Sequence, residues 1–89
     1  MTQSDTKTML LDVLQGMDLI SPETRAQALE PGANDIMLGA LGIDSMAVVD
    51  LCLGVEEKTG RELLVEEIID HPTVNQLAAF LAEGHSTGA

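Results

Sequence analysis

The apolar residues of this chain recur at helical spacing and nowhere alternate as strands do, which points to an all-α fold. Met9, Leu10, Val13, Leu14 and Met17 share one face of a helix that starts near Ser4–Thr6 and ends near Asp18. A second helix is expected over about Ser45–Thr59, with Gly60 as its C-cap. There Met46, Val48, Val49, Leu51, Cys52, Leu53 and Val55 fill a wide apolar arc opposite Ala47, Asp50, Gly54, Glu57 and Lys58. The arc is broader than one core contact needs, so part of it is expected to face a partner. Leu63, Leu64 and Val65 lead into a short helix over Glu66–Asp70, broken by His71-Pro72. Thr73 and Gln76 then fit a capping box, and Val74, Leu77, Ala78, Leu81 and Ala82 carry the stripe toward Gly84.

The connection from Ser21 to Asp44 is long. Ser21-Pro22-Glu23 reads as an N-cap, a first-turn proline and a first-turn acid, predicting a short helix over Pro22–Leu29 stopped by Pro31-Gly32. A further turn is expected over Asp35–Leu41. The architecture is therefore a small bundle of three longer helices and one short one, in which stripes of this size must pack on each other. Residues 1–84 are expected to form a single domain and residues 85–89 a disordered tail. With one Phe and no Trp or Tyr, the core is assigned to Leu, Ile, Val, Ala and the five Met.

Charge narrows the functional classes. Four Lys and Arg against fifteen Asp and Glu give a net charge of −11. Nucleic acid and anionic membrane surfaces are excluded as partners, because both are bound through Lys and Arg. Partners are expected to carry basic patches, with long-range attraction speeding the encounter. The single Cys52 allows no internal disulfide. No apolar run reaches membrane-span length, and Met1-Thr2-Gln3-Ser4-Asp5 lacks the basic and apolar regions of a signal peptide, so a cytoplasmic monomer is expected.

Gly42-Ile43-Asp44-Ser45-Met46 carries the chemistry. It puts a serine where a loop becomes a helix, close to free amides and the positive end of the helix dipole. Asp44 is placed to cap that helix. From Leu41 to Leu81 the sequence resembles the acyl carrier and peptidyl carrier protein family. Gly42, Asp44 and Ser45 match its Gly-x-Asp-Ser attachment motif, and Val49, Leu51 and Glu56-Glu57 follow at its spacing. His71-Pro72-Thr73 and the run Leu77–Leu81 look like the closing helix of polyketide and peptide-synthase carriers. Met46 stands where Leu is most usual, and Cys52 and Gly54 are also less typical.

The resemblance implies an acyl-carrier-like four-helix bundle with no catalysis of its own. A phosphopantetheinyl transferase would attach 4'-phosphopantetheine from coenzyme A to Ser45, with Asp44 in support. The arm would then carry acyl intermediates as thioesters between loading, condensing and other acyl-processing enzymes with basic docking patches. Those partners would meet Asp50, Glu56 and Glu57, with apolar contact from Met46, Val49 and Leu53. Fatty-acid, polyketide or specialised lipid and secondary-metabolite pathways all fit a discrete acyl carrier, with an aminoacyl or peptidyl carrier as the alternative.

Other classes fit less well. A serine hydrolase needs a Gly-x-Ser-x-Gly elbow, but Ile43 and Ala47 flank the candidate. The acidic stretches lack a calcium-loop pattern, and His71, His85 and Cys52 make no metal cluster. An unmodified acidic adaptor would explain the charge but would leave the Gly42-Asp44-Ser45 pattern to coincidence. Self-repulsion at a net charge of −11 has a measurable consequence. The melting temperature is expected to rise as sodium chloride or magnesium is added, and a value indifferent to both would contradict this account.

Overall fold

A computed structural model of the protein describes residues 2–83, so the expected tail 85–89 and the end of the 1–84 domain at Gly84 lie outside the described residues. Five α-helices follow in order: α1 Gln3–Gly16, α2 Pro22–Ala28, α3 Ser45–Thr59, α4 Val65–Asp70 and α5 Val74–Ala82. A 3-10 turn at Leu38–Leu41 precedes α3. No regular strand occurs among the described residues. The long connection between α1 and α3 thus contains one helix and one turn, as its caps and prolines indicated.

Each boundary has a local cause. Thr2 caps α1 by accepting the Asp5 amide at 3.1 Å, and the buried Thr6 hydroxyl is satisfied by donating to the Thr2 carbonyl at 2.8 Å. The end of α1 falls two residues before the expected Asp18. Asp18 has φ 61°, and the Leu19 amide reaches back to the Leu14 carbonyl at 3.0 Å. This is a Schellman closure with an aspartate where glycine is usual, so the sequence did not mark it. Ser21 caps α2 through the Thr24 amide at 3.1 Å, with Pro22 at the first helical position. Gly60, at φ 73°, ends α3 with its amide on the Glu56 carbonyl. Glu67 Oε1 accepts the Leu64 amide at 2.9 Å, which starts α4 one residue earlier than expected. Thr73 Oγ1 accepts the Gln76 amide at 3.1 Å to begin α5. Arg61 donates to the Leu81 carbonyl at 2.8 Å, placing a cation on the last turn of α5.

The helix α1 is central, packing against α5, α3 and α2, while α4 rests on α3. Leu11, Leu51, Val55, Leu77 and Ala78 have no exposed surface and knit α1, α3 and α5 together. The Met-rich core is corrected by the structure: Met9 is buried and Met17 packs at its edge, but Met37 and Met46 are exposed. Branched aliphatic side chains fill the interior instead, with fewer rotamers to choose from than Met. The partly exposed pair of Arg25 Nε and Asp12 Oδ1, 2.7 Å apart, joins α2 to α1 and contributes modestly.

Gly54 is also corrected. Assigned by its pattern to the polar strip of α3, it faces α1 instead, and a Cβ there would stand 2.7 Å from Val13 Cγ1. The glycine lets the two helices approach, because a valine side chain has little rotamer freedom to yield. Overpacking costs about 1–3 kcal/mol, against about 1 kcal/mol gained in helix propensity by replacing glycine. Gly54→Ala should therefore lower stability in the parent and raise it in a Val13→Ala background. The same sign in both backgrounds, measured by chemical denaturation, would rule out this contact as the reason for the glycine.

Candidate functional site

Ser45 is the first residue of α3, and the chain reaches it through a tightly defined turn. The 3-10 turn ends at Gly42, whose φ of 73° favours glycine. Ile43 is half-buried against the core and anchors the approach. Asp44 then caps α3, its Oδ1 accepting the Ala47 amide at 2.8 Å while its carbonyl accepts the Val48 amide at 3.0 Å. Asp44, Ser45 and Met46 are all exposed. The Ser45 hydroxyl therefore stands at the positive end of a fifteen-residue helix. The Ser45 and Met46 amides belong to the first turn, where no helical carbonyl reaches them. A phosphodiester on the Ser45 oxygen fits this environment: it is open to solvent and close to amide donors, and it leaves the Asp44 cap in place.

The broad arc of α3 divides into two faces. Leu51 and Val55 are fully buried, and Val48 and Cys52 pack at the core edge. Met46, Val49 and Leu53 point outward, with 74%, 48% and 53% of their surface exposed. At 3.6 residues per turn these three form one stripe, with Glu56 on one side and Asp50 and Glu57 on the other, all exposed. The six residues named from the sequence as partner contacts thus share one solvent-facing side of α3. Sequence reasoning missed the exposed Leu64, Val65 and Ile69 at α4. Nothing in a six-residue helix distinguishes its buried Ile68 from the exposed Ile69 beside it.

Two other sequence candidates have structural roles. His71 lies at the α4–α5 junction, with Nδ1 2.8 Å from the Glu67 carbonyl and its ring stacked on Phe80 at a centroid distance of 4.3 Å. Both contacts commit the imidazole to holding the junction. Burial, and then the charge of Glu67, push the Cys52 thiol above its usual range, which favours the unreactive thiol form. Among the described residues no three His, Cys, Asp or Glu side chains gather as a metal site. No helix among them is long and apolar enough to cross a membrane.

Residues 17–81 match the phosphopantetheine attachment site family, and the chain belongs to this family of phosphopantetheine-binding carrier proteins. Its members carry covalently attached 4'-phosphopantetheine, are carriers instead of catalysts, and interact with phosphopantetheinyl transferases and acyl-processing enzymes. The chain is similar to the non-reducing polyketide synthase ZEA1 of Gibberella zeae, at 33% identity over 66 residues. That region is 74% of this chain and 3% of the much larger synthase. No solved structure matches the chain significantly.

Asp44 is expected to matter to the entry of α3 as a cap. Asp44→Ala should cost about 1 kcal/mol and Asp44→Asn much less, because asparagine keeps an acceptor oxygen. Equal losses in urea denaturation would show that charge, and not the hydrogen bond to Ala47, sets the effect.

Proposed function

We propose that Ser45 is the attachment point of the 4'-phosphopantetheine arm and that the protein carries acyl intermediates of polyketide-type assembly. The observation that supports the site most strongly is the exposed Ser45 hydroxyl at the start of α3, beyond the Asp44 cap and beside an apolar stripe. Attachment joins the Ser45 oxygen to the phosphopantetheine phosphorus of coenzyme A, with loss of the hydroxyl proton and departure of the nucleotide part. When bound, the arm supplies the thiol on which acyl groups travel as thioesters. Asp44 holds the first turn in place and would help place the transferase's metal ion. Met46, Val49 and Leu53 give apolar contact to the transferase and to loading or condensing enzymes. Asp50, Glu56 and Glu57 meet basic residues on the same partners.

The polyketide cargo rests on the name of the similar synthase, which favours it over a fatty-acid or aminoacyl cargo. A net charge of −11 supports a discrete cytoplasmic carrier that finds its partners by diffusion, because steering acts on association rates. Intact mass is to be measured before and after incubation with coenzyme A and a broad-specificity phosphopantetheinyl transferase, beside Ser45→Ala. The parent should gain one phosphopantetheine and the variant none. A folded parent that gains nothing while a control carrier is modified would overturn this reading in favour of an unmodified acidic adaptor.

A further inference from the structure

The connection that leads to Ser45 is fastened to the start of α5 by a cluster that the attachment chemistry does not require. The Ile36 carbonyl accepts the Val74 amide at 2.9 Å, and the Leu38 amide donates to the Pro72 carbonyl at 2.9 Å. Between them Met37 and Thr73 face each other as an isolated antiparallel bridge. Asp35 closes the cluster: its Oδ1 accepts the Ile36 amide at 2.8 Å and the Asn75 amide at 3.0 Å, forty residues along the chain. Thr73 caps α5 by accepting the Gln76 amide at 3.1 Å, next to the Asn75 amide that Asp35 takes. A single carboxylate therefore links the connection to the cap of α5. Leu38, the next anchor along the chain, is buried. From there the 3-10 turn, Gly42 and Asp44 lead directly into α3.

We propose that Asp35 is a positioning residue whose carboxylate clasps the connection to the start of α5 and so fixes how the chain presents Ser45. The consequence for modification rests on Ser45 being the attachment site; the clasp itself does not. The electrostatics agree with the geometry. Burial pushes the Asp35 carboxyl up, but the Thr73 hydroxyl, the Asn75 and Ile36 amides and the charge of Lys7 on α1 outweigh it and hold it below the usual carboxylate range. Glu30, after α2, lines the same groove as Asp35, and His71 in the adjoining junction is engaged by the Glu67 carbonyl and Phe80. A lowered folded value means that the contribution of Asp35 is complete above the ordinary carboxylate range and is lost as pH falls through the folded value. The clasp is therefore closed at neutral pH and opens only in acid.

The test uses the full chain, with Asp35→Ala and Asp35→Asn compared with the parent by amide hydrogen exchange and NMR. In Asp35→Ala, exchange at Leu38, Val74 and Asn75 should rise about tenfold, as expected for losing a charged acceptor in a partly exposed site. The core amides of Leu14 and Val55 should keep their protection, while the Ser45 and Met46 amide resonances move. Asp35→Asn, which retains an acceptor oxygen, should fall between the two, and only the parent should lose clasp protection, relative to intrinsic exchange rates, as pH falls through the folded value of Asp35. Transferase kcat/KM should fall severalfold in Asp35→Ala through KM. Unchanged exchange at the clasp, or a rise shared equally by Leu14 and Val55, would overturn the clasp. Opened exchange with unmoved Ser45 and Met46 resonances would overturn positioning. A parent that is not modified at all would instead overturn the attachment reading and leave the exchange result standing.

Discussion

The position of every functional group in this protein depends on an aliphatic interlock where α1, α3 and α5 meet. Leu11, Leu51, Val55, Leu77 and Ala78 are completely buried there, and the one phenylalanine, Phe80, packs only at the edge. Burial of each of the larger side chains contributes about 1.5–3 kcal/mol, a sizeable share of the stability of so small a domain. Small residues at the contacts, Ala78 and Gly54 above all, let the helix backbones come close. The interlock also fixes the rotation of α3 about its own axis. Once Leu51 and Val55 face inward, 3.6 residues per turn leaves Met46, Val49 and Leu53 facing outward. The exposed stripe is thus a geometric consequence of the core.

The helices themselves were legible because apolar spacing and capping residues act locally. Ser45–Thr59 lies as the sequence predicts, since Asp44 and Gly60 are unambiguous terminators. What sequence reasoning missed depends on contacts between elements. The end of α1 relies on Asp18 adopting φ 61°, a conformation that a glycine would have announced and an aspartate does not. The arc of α3 looked uniformly apolar, so its pattern centred the buried face wrongly and put Gly54 on the polar side. Only the approach of Val13 from α1 shows that Gly54 lies at an interface. Methionines were assigned to the core on hydrophobicity alone, but Met37 lies exposed just before the 3-10 turn and Met46 follows the exposed Ser45. Asp35 was one acid among fifteen acidic residues, and its partners Thr73 and Asn75 are remote in sequence.

The entry to α3 combines a rigid frame with an open end. Gly42 turns the chain, Ile43 enters the core edge and the Asp44 carboxylate takes the Ala47 amide, so the backbone up to Ser45 is held at three successive points. The Ser45 side chain itself is left exposed. Such an arrangement suits the proposed attachment, in which the hydroxyl is reached by a large enzyme and later carries a long arm. The frame keeps the Ser45 backbone in one place, and in the proposed carrier mobility is left to the attached arm.

The charge excess and the exposed apolar stripe explain each other. Met46, Val49, Leu53, Leu64, Val65 and Ile69 leave apolar side chains exposed on α3 and at α4. In a neutral protein such surfaces would favour contact between copies. At a net charge of −11 every copy repels every other, and Asp50, Glu56 and Glu57 concentrate that repulsion around the stripe. A partner with a basic surface experiences the opposite sign and is drawn to the same place. In the proposed carrier the acids discriminate between self and partner over a Debye length, and the apolar side chains act only after contact. Affinity of that kind is brief and easily reversed, as the proposed carrier needs when it passes one cargo between several enzymes. A large dry interface would bind one of them too long.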